Sequence, residues 1–312
     1  MDTVSTADLV GQSASVERLR SYIQKVAATD SNVLITGETG TGKEKVAESI
    51  HRAGHRASQP LVCINCAAIP DSLLESELFG YQRGAFTGAQ GNFVGKLRLA
   101  DRGTVFLDEI GEMTPYAQAK LLRVVESREV FPLGATRAIP IDVRFIAATN
   151  QDLEPMIAKH SFRKDLFYRF NVARVALPAL RERKEDIGGL VSHFIAYYNA
   201  HYGRHVEEPT MELMEHLCKY DWPGNIRELR NFVEAVFIDP PCGPIALADL
   251  PEGFKSIFSA HTNETSNERD RIIAVLAATH WNKSQAAARL HWSRMTLYRK
   301  LAKYQLDTTV AN

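Results

Sequence analysis

The chain has 312 residues, of which 45% are hydrophobic, and its 37 lysines and arginines are matched by 37 aspartates and glutamates. This length and composition predict a globular protein of about two domains with a sizeable core. No apolar run reaches the roughly 18 residues of a membrane span, and the first residues lack the basic and then apolar order of a signal peptide. We therefore expect a cytoplasmic protein that does not enter a membrane.

Four cysteines, Cys63, Cys66, Cys218 and Cys242, are too few and too scattered for a disulfide scaffold. Cys63 and Cys66 have the spacing of half a zinc site, but no second pair stands near them in the sequence. We expect them to be buried thiols on a strand.

A glycine-rich turn between a predicted strand and a predicted helix is the first motif of the chain. Gly37, Gly42 and Lys43 match the pattern G-x-x-x-x-G-K. Glycines let backbone N–H groups face a polyphosphate, and the helix that follows presents its positive end. A turn of this kind that binds nothing is the alternative. The predicted nucleotide-binding residues are Gly37, Glu38, Thr39, Gly40, Thr41, Gly42, Lys43 and Glu44.

Residue Glu44 departs from the generic motif, which has Ser or Thr after the lysine as a ligand of Mg²⁺. Metal binding must then depend on another carboxylate. Residues 104–109 form a predicted buried strand that ends in Asp108 and Glu109. At the carboxyl edge of a parallel sheet, Asp108 would hold Mg²⁺ and Glu109 would polarise the attacking water. A solvated turn is the alternative for such an acidic pair.

Residues 84–89 read as an exposed, glycine-rich loop with one aromatic side chain, Phe86, near its tip. Taken alone, the loop would be a surface turn with a stray aromatic residue.

Strands and helices alternate as far as residue 178, which predicts a three-layer α/β domain, and helical patterns follow. Residues 268–307 hold eight Lys and Arg against three acidic residues, which indicates nucleic acid binding. We expect an α/β domain over residues 1–178, a helical domain over 179–250, a linker over 251–267 and a DNA-binding domain over 268–312.

Together these motifs resemble the bacterial enhancer-binding proteins, AAA+ transcription activators that act on RNA polymerase carrying sigma-54. The resemblance covers residues 8–306 and includes residues 37–44 and 77–80. Its most specific mark is the loop that touches sigma-54 in that family, formed here by Gly84, Ala85, Phe86, Thr87, Gly88 and Ala89. The resemblance implies an α/β fold, namely an AAA+ P-loop three-layer αβα ATPase with an α-helical lid and an all-α helix-turn-helix domain. It also implies ATP and Mg²⁺ as ligands.

The resemblance also implies roles for residues outside the glycine-rich turn. Asn65 would sense the γ-phosphate and hold the catalytic glutamate, and Thr149 and Asn150 would form sensor I. Arg227 would be sensor II on the lid. Arg163 and Arg169 would reach the nucleotide of a neighbouring subunit, and an arginine supplied in this way is worth about 10³–10⁵ in rate. The active site would then be complete in a ring.

The last residues resemble the Fis-type helix-turn-helix of the same activators, with helices over 282–290 and 294–304. Side chains suited to phosphates and base edges are Lys283, Ser293, Arg294, Thr296, Tyr298, Arg299 and Lys300. Trp281, Leu290, Leu297 and Leu301 are expected in the core. A basic amphipathic helix without groove contacts is the alternative. His291 and Trp292 stand where the family more often has glycine and an aliphatic residue, and Arg102 stands where glycine is usual.

The leading hypothesis is a hexameric, ATP-hydrolysing activator that is a dimer at rest, binds an upstream activator sequence in double-stranded DNA and remodels the sigma-54 holoenzyme. Its rivals are an AAA+ DNA-binding repressor that does not drive sigma-54 and an AAA+ remodelling motor or chelatase. Few residues precede the ATPase domain. We therefore expect no N-terminal regulatory domain, activity without phosphorylation or a small molecule, and control by abundance or by a separate regulator protein.

Overall fold

The computed structural model describes residues 9–256 and 258, followed by 272–273, 275–276, 279, 281, 283–290, 292–304 and 306. The chain divides into two compact units, residues 1–244 and residues 245–312. In the described part of the chain, no helix combines the length and the apolar composition that a membrane crossing requires.

The first unit alternates strands and helices and then becomes helical. Hydroxyl caps start three of its helices, since Ser13 accepts from Val16 N, Thr114 accepts from Ala117 N and Thr210 accepts from Leu213 N. Its elements are α1 (Ala14–Ala27), β1 (Val33–Thr36), α2 (Lys43–Arg52), β2 (Leu61–Asn65), α3 (Asp71–Phe79), β3 (Gly80–Tyr81), β4 (Phe93–Val94), α4 (Lys96–Leu99), β5 (Thr104–Asp108), α5 (Pro115–Ser127), β6 (Glu129–Val130), β7 (Ile139–Pro140), β8 (Arg144–Thr149), α6 (Leu153–Ala158), α7 (Lys164–Phe170), β9 (Ala173–Ala176), α8 (Ile187–Tyr202), α9 (Met211–Lys219) and α10 (Asn225–Val236).

Five parallel strands form the main sheet in the order β2-β5-β8-β1-β9. Its register aligns the polar ends of neighbouring strands, because Asn65 pairs with Asp108 and Thr36 pairs with Thr149. Side chains that close different strands therefore meet at one edge of the sheet, where open α/β sheets bind their ligands.

Both faces of the sheet are buried, which confirms the predicted three-layer αβα fold. Along β5, Val105 and Leu107 join one apolar cluster, while Phe106 joins a second cluster on the opposite face. This alternation follows from the two-residue period of a strand. Helices α3, α5 and α7 cover the first face, and α1 and α2 cover the second.

The two cysteines of the C-x-x-C spacing behave differently, so the prediction that both are buried is wrong for Cys63. Cys66 is buried, but Cys63 on β2 is exposed. Burial raises the pKa of the Cys66 thiol to about 12. The described residues contain no group of three or more His, Cys, Asp or Glu side chains that could hold a metal ion.

The second unit contains the two predicted helices of the helix-turn-helix, α11 (Lys283–Arg289) and α12 (Arg294–Lys303), and a helical turn over residues 252–256. Ile272, Leu276, Leu290, Leu297 and Leu301 pack in its core. Trp281 was expected there, but its side chain is 44% exposed. Residues 259–267 of the predicted linker lie outside the described residues.

Candidate nucleotide-binding site and partner surfaces

The phosphate loop (residues 37–42) connects β1 to α2 in a conformation that requires glycine. Gly40 has φ +80° and Gly42, the N-cap of α2, has φ +100°, which is backbone that other residues seldom adopt. Thr41 is buried, and its hydroxyl donates to Glu38 O over 2.8 Å. The first turn of α2 follows directly, so its free N–H groups and positive dipole face an anion at the loop.

Lys43, the first residue of α2, joins the phosphate loop to the end of β5. Its Nζ donates to Gly37 O over 3.1 Å and lies 3.3 Å from Oε1 of Glu109. Both side chains are largely withdrawn from solvent. A cation that bridges the loop and the acidic strand end is well placed for the terminal phosphates of a nucleotide.

The acidic pair predicted from the sequence closes β5 at the same edge. Oδ1 of Asp108 is buried and accepts no hydrogen bond from any residue that the structure describes. Burial, and then the charge of Glu109, raise the pKa of Asp108. Glu109 has φ +51°, a strained conformation for this residue type. Its Oε2 accepts from Asn150 N over 3.0 Å.

Asn65 and the sensor I pair lie at the ends of β2 and β8, the strands on either side of β5. Oδ1 of Asn65 accepts from Ala67 N and Ala68 N, at 3.0 and 3.1 Å. Among the contacts of the described residues, the amide makes no hydrogen bond to Glu109, and the expected role of Asn65 toward that glutamate stays a prediction. Thr149 is buried, while Asn150 Nδ2 donates to the Thr39 hydroxyl over 2.9 Å.

A cleft of about 650 Å³ brings most of the predicted residues together. It is lined by Thr39, Gly40, Thr41, Gly42, Lys43, Glu44, Asn65, Asp108, Glu109, Asn150 and Arg227. Gly37, Glu38 and Thr149 line an adjoining cavity of about 210 Å³ instead. The cleft also has an apolar part that no sequence motif indicated, formed by Leu9, Val10, Leu190, Phe194 and Ile226. Such an apolar part suits a flat heteroaromatic base.

The first turn of α10 sits directly on the phosphate loop. Arg227 N donates to Gly40 O over 3.2 Å, and Asn225 Nδ2 donates to Thr39 O over 3.0 Å. Hydrogen bonds from Arg181 and then Asn225 lower the pKa of Glu38 from 4.5 to about 2. The stability gained from this carboxylate is therefore complete above its unfolded pKa and is lost progressively as the pH falls from there through about 2.

A second glycine-rich loop, the Phe86 loop (residues 84–89), projects from the hairpin of β3 and β4. Gly84 has φ +86° and Gly88 has φ +103°. The Phe86 side chain is 46% exposed, and its ring meets the ring of Tyr81 edge-on at 5.0 Å. Tyr81 stacks in turn on Phe93 at 5.4 Å. The ring of Phe86 is therefore partly exposed at the surface and packs against a pair of stacked rings, Tyr81 and Phe93.

Several side chains predicted to bind DNA contact other side chains or backbone of the second unit. Ser293 caps α12, since its hydroxyl accepts from Thr296 N over 3.1 Å. Lys283 lies over the ring of Tyr298 at 5.1 Å, and Lys300 lies over the ring of Trp292 at 5.9 Å. Arg299 and Tyr298 are exposed. The side chain of Arg294 lies outside the described residues.

Three family models match the chain in order. They are the sigma-54 interaction domain over residues 9–176, the AAA+ ATPase lid domain over 181–282 and the bacterial regulatory protein, Fis family, over 266–304. The chain belongs to the sigma-54 interaction domain family. The lid and Fis-family regions confirm the predicted order of parts, while the predicted domain bounds stay predictions.

Curated relatives of this sigma-54 family member are transcription regulators. It is 42% identical to the transcriptional regulatory protein ZraR of Salmonella typhimurium over 95% of this chain and 68% of ZraR. It is also 42% identical to the DNA-binding transcriptional activator HyfR of Escherichia coli K12, over 97% of this chain and 48% of HyfR. The chain thus spans about half to two thirds of the length of these relatives.

A solved structure of NtrX from Brucella abortus in complex with ATP is similar to this sigma-54 family member. The two are 35% identical with a TM-score of 0.75, over 95% of this chain and 69% of the NtrX chain. The likeness supports the predicted fold, and the ATP in that structure belongs to NtrX.

The two predicted trans-acting arginines of this sigma-54 family member lie on the surface of the α/β layer. Arg163 pairs with Asp165 at 2.7 Å, and Arg169 pairs with Glu126 at 2.8 Å. Neither arginine is among the described residues that line the cleft. No sequence motif assigned a role to Arg181 or Asn225, although asparagine is a residue that tolerates positive φ.

Proposed function

We propose that this chain hydrolyses ATP and uses the energy to remodel RNA polymerase carrying sigma-54, while bound to double-stranded DNA upstream of the promoter. The observation that carries the proposal is the cleft in which Lys43, Asp108 and Glu109 converge under a glycine loop. The same unit carries the exposed Phe86 loop. A chain that carries both an ATP-hydrolysis site and an exposed loop for a protein partner fits an activator better than a repressor or a chelatase.

ATP fits both the polar and the apolar part of the cleft. The phosphate loop and the first turn of α2 offer backbone N–H groups to the phosphates, and Lys43 adds a positive charge. The apolar part around Phe194 and Ile226 accepts the base. The proposed nucleotide contacts are those predicted from the sequence, including Thr149, Asn150 and Arg227.

Mg²⁺ fits beside Asp108, whose buried Oδ1 has no hydrogen-bond partner among the described residues. One carboxylate is enough when phosphate oxygens and water complete the shell, as is usual for Mg²⁺ bound with a nucleotide. When bound, the ion would neutralise charge that develops on the phosphates.

The other predicted residues have separate roles in ATP hydrolysis. Glu109 accepts the proton of the attacking water, Asn65 and the sensor I pair respond to the γ-phosphate, and Arg227 contacts it from the lid. Arg163 and Arg169 stabilise the charge in the site of a neighbouring subunit. Because they lie away from the cleft of their own chain, we propose a hexameric ring that forms from a resting dimer.

The two remaining surfaces serve the two macromolecular partners. The Phe86 loop contacts sigma-54 through Gly84 to Ala89, and its position changes with the contacts of the γ-phosphate. The basic side chains predicted on α11 and α12 bind DNA, so the protein works in the cytoplasm beside the polymerase.

Replacing Lys43 by Ala should abolish ATP binding, whereas Glu109→Gln should keep binding and stop turnover. The first change removes a charge that holds the ground state, and the second removes the group that takes a proton from water. Binding of a fluorescent ATP analogue and release of phosphate measure the two steps. Near-normal turnover by Glu109→Gln would show that another residue positions the water.

Phe86→Ala and Thr87→Ala should retain ATPase and DNA binding but lose open-complex formation with sigma-54 holoenzyme. Both side chains are exposed and neither lines the cleft, so we expect their loss to affect the partner contact alone. Tyr197→Ala, which also removes an exposed aromatic ring, is the matched control and should activate normally. If the Phe86 variant activates a sigma-54 promoter as well as that control, the chain is not a sigma-54 activator of the proposed kind.

A further inference from the structure

Asn225, the first residue of α10, connects three separate segments of the first unit. Its side chain is fully buried and its φ is +52°. Nδ2 donates to Thr39 O over 3.0 Å and to Oε2 of Glu38 over 3.2 Å, and Oδ1 accepts from Leu180 N over 2.8 Å. The phosphate loop, the segment that enters the lid and the first turn of α10 therefore share one amide group.

An ion pair ties the same segments together beside that amide. The guanidinium of Arg181 faces the carboxylate of Glu38 with two parallel hydrogen bonds, one of them Nη1 to Oε2 at 2.8 Å and the other between Nη2 and Oε1. The planar fork of arginine matches a carboxylate in this way, and lysine cannot reproduce it. Arg181 follows Leu180, so both contacts hold the same stretch of chain.

The backbone completes the junction two residues further along α10. Arg227 N donates to Gly40 O over 3.2 Å. A Cβ on Gly40 would lie 2.2 Å from Gly224 O, so the loop and the helix approach as closely as backbone allows. Arg227 lines the cleft two residues beyond Asn225. The junction therefore fixes the backbone of Arg227 against the phosphate loop.

We propose that Asn225, with the Glu38–Arg181 pair, is a positioning device that holds α10 on the phosphate loop and so sets where Arg227 meets the nucleotide. The inference rests on the proposed function, because it takes ATP as the ligand. Asparagine meets both demands of the site, since it tolerates positive φ and its amide both donates and accepts. Aspartate would lose the donor and place a second carboxylate against Glu38.

The first test compares the ATPase kinetics of variants at Asn225, which is not one of the proposed nucleotide contacts. Asn225→Gly keeps the backbone conformation and removes the amide, and we expect kcat to fall by about tenfold or more with KM changed much less. Asn225→Asp has the same shape and should lose at least as much. Glu215→Gln, which removes an exposed ion pair with Lys219 elsewhere in the lid, is the control and should match wild type.

Variants of the Glu38–Arg181 pair test the same inference without changing a buried residue, because both side chains are partially exposed. Glu38→Ala and Arg181→Ala should each lower kcat, and the double variant should be no worse than the poorer single one, because each residue acts through the other. Arg181→Lys should recover part of the loss. Losses that simply add in the double variant would contradict a shared role.

A measurement without nucleotide separates this inference from the proposed function. Hydrogen exchange of the 225–230 backbone should accelerate in Asn225→Gly and in Arg181→Ala but not in Glu215→Gln, because Arg227 N–H is held by Gly40 O. If wild type lacks ATPase but the exchange changes as expected, the proposed function fails and the junction stands. Wild-type kcat and unchanged exchange in Arg181→Ala would overturn the inference even if Asn225→Gly does not fold.

Discussion

The two glycine-rich loops of the first unit use the same residue for different physical reasons. In the phosphate loop, Gly40 combines a positive φ with a neighbour so close that a Cβ would lie 2.2 Å from Gly224 O. In the Phe86 loop, Gly84 and Gly88 also have positive φ, but among the described residues no atom lies within 4 Å of the position of an added Cβ. Conformation alone requires glycine there.

This difference separates a preorganised site from a surface loop. The phosphate loop is fixed from outside, by Arg227 and Asn225 of the lid. The Phe86 loop holds its shape with local backbone bonds, such as Gly84 N to Ala89 O at 2.9 Å. Chemistry at phosphates benefits from groups that do not reorganise, whereas a partner contact benefits from a segment that can change.

Among glycine substitutions in the two loops, we expect the largest effect, a loss of ATP affinity, from Gly40→Ala. The new methyl group would meet the lid backbone, and the residue would also have to hold φ +80°. ATP binding should weaken by at least about tenfold, because the lid must move off the loop or the loop must change shape. Titration with a fluorescent ATP analogue measures the loss. Wild-type affinity would mean that the close approach to Gly224 is not needed.

A smaller and different effect is expected from Gly88→Ala in the Phe86 loop. The substitution strains one residue by about 1–2 kcal/mol because of its left-handed backbone, and it meets no packed neighbour. ATP affinity and ATPase should stay at wild-type values, while open-complex formation falls. Assays of both activities on one preparation test this, and a loss of ATP affinity equal to that of Gly40→Ala would break the comparison.

The smallest effect is expected from Gly91→Ala, just beyond the Phe86 loop. Its φ is not in the left-handed region, and no described atom stands within 4 Å of the added Cβ. The free energy of unfolding should stay the same or rise by about 0.4–1 kcal/mol, because alanine restricts the unfolded chain. Urea denaturation of this variant and wild type gives the value. A clear destabilisation would reveal a constraint on this segment that the contacts do not show.

Much of the cleft could be predicted from the sequence because parallel strands bring their carboxyl ends together. Lys43, Asp108, Glu109 and Asn150 needed only strand patterns and local motifs. The contact of Asn225 with Thr39 joins residues 186 positions apart, and no local pattern encodes such a pairing. The hydrogen bonds that Ala67 N and Ala68 N donate to the amide oxygen of Asn65 are local, and the role of Asn65 toward Glu109 stays a prediction.

The place of β1 in the sheet also has a consequence during synthesis on the ribosome. Val33 pairs with Ile146 of β8 on one side and with Ala173 of β9 on the other, and both strands emerge long after β1. Contacts this distant in sequence slow folding and leave strand edges open in the meantime. The nascent chain therefore carries its complete phosphate-binding motif for more than a hundred residues before the sheet that shapes it can close, and ATP cannot assist the early steps of its folding.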